Sequence, residues 1–225
     1  MSHTVCNELP EVGIQPVPTG DSYRRWGKRC LDIFIVVLIL PIALPLILVS
    51  WALAKTDGGS GFYSQTRIGR DSRGFKCWKI RTMVPDADVV LSQLVGSDKA
   101  AANEWRMAQK LSDDPRITPL GRMLRKSSID ELPQLWNVLI GDMSLIGPRP
   151  FTPLQKHIYD RSSADPAYYK LRPGITGLWQ VECRNEGDFS DRFNFDEQYC
   201  STVTLGTDIS IALKTLKVVV QATGQ

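Results

Sequence analysis

The apolar run IFIVVLILPIALPLILVSWALA, from Ile33 to Ala54, decides the fold class of this chain. It contains no charged residue, and a straight helix of its length would measure about 33 Å, enough to cross the hydrocarbon core of a bilayer. Pro41 and Pro45 lie in its middle, and neither can donate a backbone hydrogen bond within a helix. The run therefore predicts a membrane helix that breaks or bends at its prolines.

Basic residues flank this run on both sides. Those before it are Arg24, Arg25, Lys28 and Arg29, and those after it are Lys55, Arg67, Arg70, Arg73, Lys76, Lys79 and Arg81. Because Lys and Arg near membrane segments favour the cytoplasmic side, both ends of the run are expected there. The pattern favours a monotopic protein, whose helix-break-helix over residues 23–56 enters one leaflet and returns, over a straight span with a proline kink.

Composition and length limit the remaining possibilities. The chain has 225 residues and a formal net charge of +3, and its length favours one cytosolic catalytic domain, over residues 57–225. Prolines and glycines without hydrophobic periodicity predict a flexible leader over residues 1–22. Its five cysteines are scattered, as is typical of reduced thiols in the cytoplasm. His3 and His157 are the only histidines, which argues against a multi-histidine metal site or a histidine triad. No nucleic-acid partner is expected.

The segment after the apolar run predicts a β-hairpin. Residues 61–83, GFYSQTRIGRDSRGFKCWKIRTM, contain two alternating runs around the turn-rich GRDSRG. Lys79 and Arg81 of this hairpin could hold phosphates, or the basic ribbon could simply be attracted to anionic lipid. From Ala87 to Leu111 the pattern is helical and largely polar, so it predicts surface helix and loop.

Two adjacent acids, Asp130 and Glu131, stand out in the stretch RKSSIDELPQLWNVLIGDMSLIGPRP, from Arg125 to Pro150. Ser128 and Glu131 have the spacing of a capping box, so the acids could simply begin a helix. A carboxylate beside Arg125 could equally act as a nucleophile or a magnesium ligand. Arg149, held between two prolines, is suited to binding phosphate.

Several long motifs together resemble the bacterial sugar transferase family. They are KRCLDI with the apolar run, KIRTM of the hairpin, DPRITPLGRMLRKSSIDELPQLWNVLIGDMSLIGPRP, and YYKLRPGITGLWQV, in the order in which the family carries them. This family consists of monotopic phosphoglycosyl transferases, and the similarity runs from about Tyr23 to Thr223. The short chain is similar to the single-domain members that begin exopolysaccharide synthesis.

The resemblance implies a helix-rich α+β fold and transfer of a sugar 1-phosphate from a nucleoside diphosphate sugar, UDP-galactose or UDP-glucose, to undecaprenyl phosphate. It implies Asp130 as nucleophile and magnesium ligand, with Glu131 as its partner. The phosphate-binding candidates are Arg125, Arg149, Arg81, Lys79 and Arg172, with Gly174 near the site. Mg²⁺ is the implied cofactor. The expected location is the cytoplasmic face of the bacterial inner membrane, with downstream glycosyltransferases as further partners.

Two departures from the family pattern concern the membrane break and the end of the site. Leu44 precedes Pro45 where well-known members carry serine, and Glu182-Cys183-Arg184 replaces the small Gly that often precedes an arginine. The motif RPGITG, from Arg172 to Gly177, could also be an ordinary loop. Residues 207–224, TDISIALKTLKVVVQATG, predict a helix that packs in the core or lies on the membrane.

Two other functions are compatible with the residues alone. A membrane-bound hydrolase of nucleotide sugars or lipid diphosphates would use the same acids and magnesium with water as acceptor. A non-catalytic scaffold for polysaccharide assembly would use Asp130 and Glu131 only as a helix cap. The acid pair together with Arg125 and Arg149 argues against the scaffold, and formation of a lipid-linked sugar diphosphate distinguishes transfer from hydrolysis.

Overall fold

The computed structural model describes residues 22–108, 111–162, 166–183 and 192–220. Within these residues the chain forms the helix-rich α+β fold that was predicted. The rest of the predicted leader, residues 1–21, and Arg184 of the second family departure lie outside the described residues.

A single long helix, α1, occupies the apolar run. After one wide turn over Tyr23–Gly27, α1 extends over Lys28–Ala54 and continues through both Pro41 and Pro45. The helix is thus not interrupted at these prolines, because each proline removes only its own backbone donor while the neighbouring turns persist, and a bend at Pro41 and Pro45 stays a prediction. By length and composition the segment Tyr23–Asp57 could cross a membrane. A re-entrant path in one leaflet stays a prediction.

One face of α1 packs against the rest of the protein. Val36, Ala43 and Ile47 are buried in the main hydrophobic core, which also contains Leu135 and Val138. Apolar residues on the other faces are exposed; they include Phe34, Val37, Leu38, Ile42, Leu46, Leu48 and Val49. The exposed faces of α1 are thus as apolar as the buried one, which is the composition of a lipid-facing helix.

The predicted hairpin is confirmed. Strand β1 (Phe62–Ile68) pairs antiparallel with β2 (Gly74–Ile80). The turn between them needs a left-handed backbone at Asp71 and Ser72, with φ of 57° and 59°. Aspartate and serine are compatible with such a turn because their short side chains hydrogen-bond locally.

Three helices follow the hairpin: α2 (Ala87–Ser97), α3 (Lys99–Ala108) and α4 (Pro119–Lys126). Asp98 separates the first two, and its carboxylate accepts a 2.7 Å hydrogen bond from the backbone N–H of Ala100. Helix α4 begins at Pro119, where Thr118 caps it by accepting a hydrogen bond from Gly121 N–H. A Cβ atom at Gly121 would lie 2.0 Å from the carbonyl oxygen of Thr82, so only glycine allows α4 to lie against the end of the hairpin.

Two short strands bring distant motifs together. Helix α5 (Gln134–Ile140) leads into β3 (Ser144–Ile146), which pairs parallel with β4 (Gly174–Thr176). The backbones then approach closely, because a Cβ atom at Gly174 would lie 2.1 Å from the backbone nitrogen of Gly147. These glycines place GPRP directly beside RPGITG.

The C-terminal part is helical. Its elements are α6 (Lys156–Ser162), α7 (Leu178–Glu182), α8 (Arg192–Ser201) and α9 (Leu205–Val220). Helix α9 packs in a second core through Ile211, which confirms one of the two predicted roles for this helix. Its opposite side exposes an apolar stripe formed by Leu205, Ile209, Leu213 and Leu216. Contact of this stripe with a membrane stays a prediction.

Candidate active site

Asp130 and Glu131 lie on one tight helical turn, Ile129–Glu131, between α4 and α5. Ile129 and Leu132, on either side of the pair, pack against the main core and so fix the turn. The capping-box interpretation is wrong. Ser128 adopts a left-handed conformation with φ of 57°, makes no side-chain cap hydrogen bond within the described residues, and lies six positions before the first residue of α5.

The hairpin reaches this turn through an ion pair. Lys79 Nζ lies 2.6 Å from Glu131 Oε1. Burial acts to raise the pKa of Glu131, but the positive charges of Lys79, Arg149 and Arg67 outweigh it and hold the pKa below its ordinary value. Glu131 is therefore a carboxylate that keeps its charge and orients Lys79.

Asp130 has the opposite electrostatic environment. Its side chain is only 6% exposed, and burial raises its pKa to about 6, with the charge of Glu131 acting in the same direction. Lys79 and Arg125 act to lower the pKa and limit the rise. Two adjacent carboxyl groups with pKa values shifted apart are typical of catalytic acid pairs.

Helix α5 fixes the hairpin in position beside these acids. Asn137 is fully buried, its side-chain oxygen accepts a 3.1 Å hydrogen bond from Trp78 N–H, and its Nδ2 donates a 2.7 Å bond to the Lys76 carbonyl. The Asn137 side-chain amide thus makes the same two kinds of hydrogen bond to the β2 backbone that the backbone of a neighbouring strand would make. Asn137 therefore holds the part of β2 that directly precedes Lys79.

A cavity of about 160 Å³ opens beside Glu131. Its lining residues are Arg67, Cys77, Lys79, Glu131, Gln134, Arg149, Pro150, Gln155, Gly174, Ile175 and Arg192. Four of these side chains are cationic and one is a carboxylate. A small polar cavity with this charge is suited to an anionic ligand such as a phosphate.

The structure brings four of the predicted site residues together, whereas Asp130 and Arg125 are not among the described residues that line the cavity. Lys79, Glu131, Arg149 and Gly174 line the cavity. Arg125 Nε donates a 2.9 Å hydrogen bond to Thr82 Oγ1, and the Arg125 charge acts to lower the pKa of Asp130.

Two of the predicted phosphate-binding residues lie elsewhere. Arg81 donates hydrogen bonds to the carbonyl oxygens of Ala54 and Met83 and forms an ion pair with Asp57, so it fastens the end of α1 to the hairpin. Arg172 Nε donates a 3.0 Å bond to the carbonyl of Gly141, at the C-terminal end of α5. Neither belongs to the set of described residues that line the cavity.

Sequence reasoning missed two cationic residues of the cavity, Arg67 and Arg192. Arg67 could have been found from the hairpin register, because it pairs with Phe75 and so shares a face with Cys77 and Lys79. For Arg192 the sequence held no such signal, since only the packing of α8 brings it to the cavity.

The donor set fits a magnesium ion that is shared with a substrate. In the described part of the chain, no group of three or more His, Cys, Asp and Glu side chains could hold a metal alone. Magnesium is usually bound by one or two carboxylates together with substrate phosphates and waters. Asp130, which precedes Glu131 of the cavity lining, is an oxygen donor of this kind.

Comparison with known proteins agrees with this geometry. Residues 23–222 match the sequence profile of the family described as bacterial sugar transferase. The chain belongs to this family. The match to the family covers every residue of the candidate site, from the hairpin to Arg192.

Relatives within the family carry informative names. The undecaprenyl-phosphate galactose phosphotransferase of Salmonella typhimurium is 46% identical over 89% of this chain and 42% of its own length. The exopolysaccharide production protein ExoY of Sinorhizobium fredii is 44% identical over 88% of this chain and 87% of its own. The UDP-glucose:undecaprenyl-phosphate glucose-1-phosphate transferase of Escherichia coli is 32% identical over 93% and 43%. The chain thus spans less than half the length of the first and third, and most of ExoY.

Proposed function

We propose that this protein transfers a sugar 1-phosphate from a UDP-sugar to undecaprenyl phosphate, giving undecaprenyl diphosphate sugar and UMP. UDP-galactose is the first donor to test and UDP-glucose the second, since relatives are named for galactose and glucose transfer. The single observation that carries the proposal is the cationic cavity lined by the ionised Glu131, whose neighbour in the chain is the buried Asp130, within the family's motif. Transfer of this kind begins exopolysaccharide synthesis, the process for which ExoY is named.

In the first step, an oxygen of Asp130 attacks the phosphorus that carries the sugar. The bond from that phosphorus to the bridging oxygen breaks, and UMP leaves with the bond's electron pair. An aspartyl phosphosugar is left on the enzyme. With a pKa of about 6, the Asp130 carboxyl is mostly ionised at neutral pH and retains more nucleophilicity than an ordinary carboxylate.

In the second step, a phosphate oxygen of undecaprenyl phosphate attacks the same phosphorus. The bond to the Asp130 oxygen breaks, and the carboxylate returns to its starting state. The two displacements use one nucleophile and one set of cations, because each moves negative charge between the same groups.

The surrounding charges hold the phosphates in place. Lys79 and Arg149, which line the cavity, bind oxygens of the leaving phosphate, and Glu131 orients Lys79. The positive charge of Arg125 favours the ionised form of the Asp130 carboxyl. Cations fixed in a partly buried site stabilise transition-state charge without having to reorganise.

Arg81 and Arg172 support the site in a different way. Their guanidinium groups bind backbone carbonyls at the end of α1 and of α5, so we assign them to holding the frame of the site. Arg172 lies two residues before Gly174, and its bond to Gly141 keeps this part of the cavity wall in place.

Asp130, together with the phosphates of the donor, would hold the magnesium ion. When bound, the ion neutralises charge on the diphosphate and stabilises the departing monophosphate. Lys79 and Arg149 of the protein also neutralise charge on the diphosphate.

We propose that α1 bends at Pro41 and Pro45, enters the cytoplasmic leaflet of the bacterial inner membrane and returns to the same face, with the cavity on the cytoplasmic side. The basic residues at both ends of the helix support this orientation. The lipid product would then be available to downstream glycosyltransferases at the same surface.

The test uses the full chain in lipid nanodiscs with undecaprenyl phosphate, magnesium and either UDP-galactose, UDP-glucose or other nucleotide sugars. Release of UMP and formation of a lipid-linked sugar diphosphate are measured together. UMP release that requires the lipid supports transfer. Release of sugar phosphate and UMP without lipid would instead support a hydrolase, and no turnover with any donor would support a scaffold.

The nucleophile is tested by mass spectrometry of the intact protein and of its proteolytic peptides after incubation with donor alone. The wild type should gain the mass of a phosphosugar on the peptide that contains Asp130. Asp130→Asn should remove this adduct, whereas Glu131→Gln, the matched control, should slow its formation without abolishing it. An adduct on the same peptide in Asp130→Asn would exclude Asp130 as the nucleophile.

A further inference from the structure

A cluster of aromatic side chains adjoins the cavity-lining residues Pro150 and Arg192 along the chain, and we call Phe151, Tyr159, Tyr168 and Phe193 the aromatic wall. The rings of Phe151 and Tyr159 stack with centroids 4.3 Å apart, and Tyr159 meets Phe193 edge to face at 4.6 Å. Phe151, Tyr159 and Tyr168 are almost fully buried. Such tight packing of rings makes the wall a rigid support.

Each arginine of the cavity is attached to this wall by the chain itself. Arg192 directly precedes Phe193, and Arg149 is two residues before Phe151. Arg67 precedes Ile68, which packs in the same cluster. The Ile68 N–H donates a 3.0 Å hydrogen bond to the Phe151 carbonyl, which locks two of these segments together.

Arg192 is held by further contacts. Its guanidinium lies over the ring of Trp179, with the central carbon 4.2 Å from the ring centroid. Asp196 is one turn further along α8, buried, and accepts a 2.7 Å hydrogen bond from the Tyr159 hydroxyl. The ionised form of Asp196 acts to raise the pKa of Arg192, and Arg192 acts to lower the pKa of Asp196.

The three arginines are brought together at an electrostatic cost. Burial, and then the charge of Arg149, lowers the pKa of both Arg67 and Arg192, the latter to about 10. An anionic ligand in the cavity would offset this repulsion together with the carboxylate of Glu131.

We propose that Arg67 and Arg192 join Arg149 in a three-arginine clamp for the diphosphate of the nucleotide-sugar donor, and that the aromatic wall sets the geometry of this clamp. The proposal rests on the proposed function for the identity of the ligand. The clamp itself rests on the shared cavity and the contacts of the aromatic wall. Arg67 and Arg192 are then binding residues, and Tyr159 is a positioning residue that acts through Asp196 and Arg192.

The clamp is tested by calorimetric titration of the full chain in nanodiscs with inorganic pyrophosphate and with UMP. Arg67→Gln and Arg192→Gln should each raise the Kd of pyrophosphate about tenfold or more, as expected for loss of a charge-assisted contact. Arg192→Lys should fall between these variants and the wild type, because lysine keeps the charge but loses the planar fork. The matched control is Arg106→Gln, an exposed arginine of α3, which should bind like the wild type.

Kd values within twofold of the wild type for both glutamine variants, with thermal unfolding unchanged, would overturn the clamp. The Tyr159→Phe variant keeps the ring and removes only the hydroxyl that donates to Asp196. Introduced alone, Tyr159→Phe should raise the Kd of pyrophosphate several-fold. Added to Arg192→Gln, it should have no further effect, because Tyr159 acts through Arg192. Additive effects of the two changes would remove Tyr159 from the clamp.

These outcomes are separable from the proposed function. Clamp-dependent pyrophosphate binding in a protein that releases no UMP would retain the clamp and reject the transfer. Lipid-dependent UMP release with unchanged pyrophosphate affinity in both glutamine variants would retain the transfer and reject the clamp.

Discussion

Lys28, in the first turn of α1, and Asp208, in α9, form a buried ion pair of 2.7 Å although 180 residues separate them. The Asp208 side chain is 1% exposed, and the hydroxyl groups of Tyr23 and Tyr199 also donate hydrogen bonds to it. The start of the apolar helix is therefore fastened to the C-terminal helix by one carboxylate with three donors.

Removing the lysine of this pair should destabilise the protein. Lys28→Met leaves a buried charge on Asp208 and should lower the free energy of unfolding by about 3–5 kcal/mol. Denaturant unfolding in detergent measures this change. Adding Asp208→Asn to Lys28→Met should restore part of the loss, and Arg25→Met, an exposed neighbour, should cost no more than about 0.5 kcal/mol. A cost for Lys28→Met as small as that of Arg25→Met would contradict the prediction.

Arg81 and Arg149 should respond differently to the same substitution. Arg81→Gln leaves backbone carbonyls unsatisfied and should lower the free energy of unfolding by about 2–4 kcal/mol, with the KM for the donor changed less than twofold. Arg149→Gln should raise this KM about tenfold with little change in stability. Steady-state kinetics and unfolding of both variants decide the matter, and a large rise in KM for Arg81→Gln would reassign that residue to phosphate binding.

Asp196 should make stability depend on pH. Burial raises its pKa to about 7, against the opposing effects of the Tyr159 hydrogen bond and Arg192. The folded protein then holds this proton more tightly than the unfolded chain, so the free energy of unfolding should fall as pH rises from about 4 to about 7. Asp196→Asn should reduce that fall by a few kcal/mol, on the order expected from the shift. Identical pH profiles of unfolding for variant and wild type would show that Asp196 titrates normally.

The apolar stripe of α9 should contact lipid. In a variant whose five native cysteines are replaced by alanine, a fluorophore on Leu213→Cys should be quenched strongly by spin-labelled lipid in nanodiscs. The same fluorophore on Ser210→Cys, exposed but outside the stripe, should be quenched less. Equal quenching at both positions would show that α9 packs only in the core.

Topology can be read with the same cysteine-free background. Ser22→Cys and Ser201→Cys place one thiol before α1 and one in α8, and both positions are exposed. For a re-entrant α1, an impermeant thiol reagent outside right-side-out vesicles should modify neither until the vesicles are opened. Modification of Ser22→Cys alone in sealed vesicles would identify a helix that spans the bilayer.

Local patterns predicted the parts of the fold that depend on neighbours in the chain. The hairpin follows from alternation around GRDSRG, and the apolar helix from its composition. Asp130 and Glu131 could be selected because they are adjacent. The capping box failed because the left-handed Ser128 directs the chain away from a helix start, while Lys79 draws Glu131 towards the hairpin.

Long-range packing decided the rest. Arg81 and Arg67 are both cations of the hairpin region, yet of these two only Arg67 lines the cavity. Arg81 instead donates a hydrogen bond to the carbonyl of Ala54, the last residue of α1. Strands β3 and β4 are three residues each, too short for any periodic signal, and form because Gly147 and Gly174 allow two backbones to touch. No sequence window contains both partners of such a contact.

The packing of Ile129 and Leu132 into the same core as α1 has a consequence for how substrates are supplied. With α1 seated in the bilayer as proposed, the height of Asp130 above the lipid surface is constant, and the carboxylate cannot travel to meet its substrates. The lipid phosphate then has to arrive by sideways diffusion within the leaflet, and the sugar nucleotide from the water above. The active site would then stay at a fixed depth. One substrate would reach it by two-dimensional diffusion in the membrane and the other by three-dimensional diffusion in water.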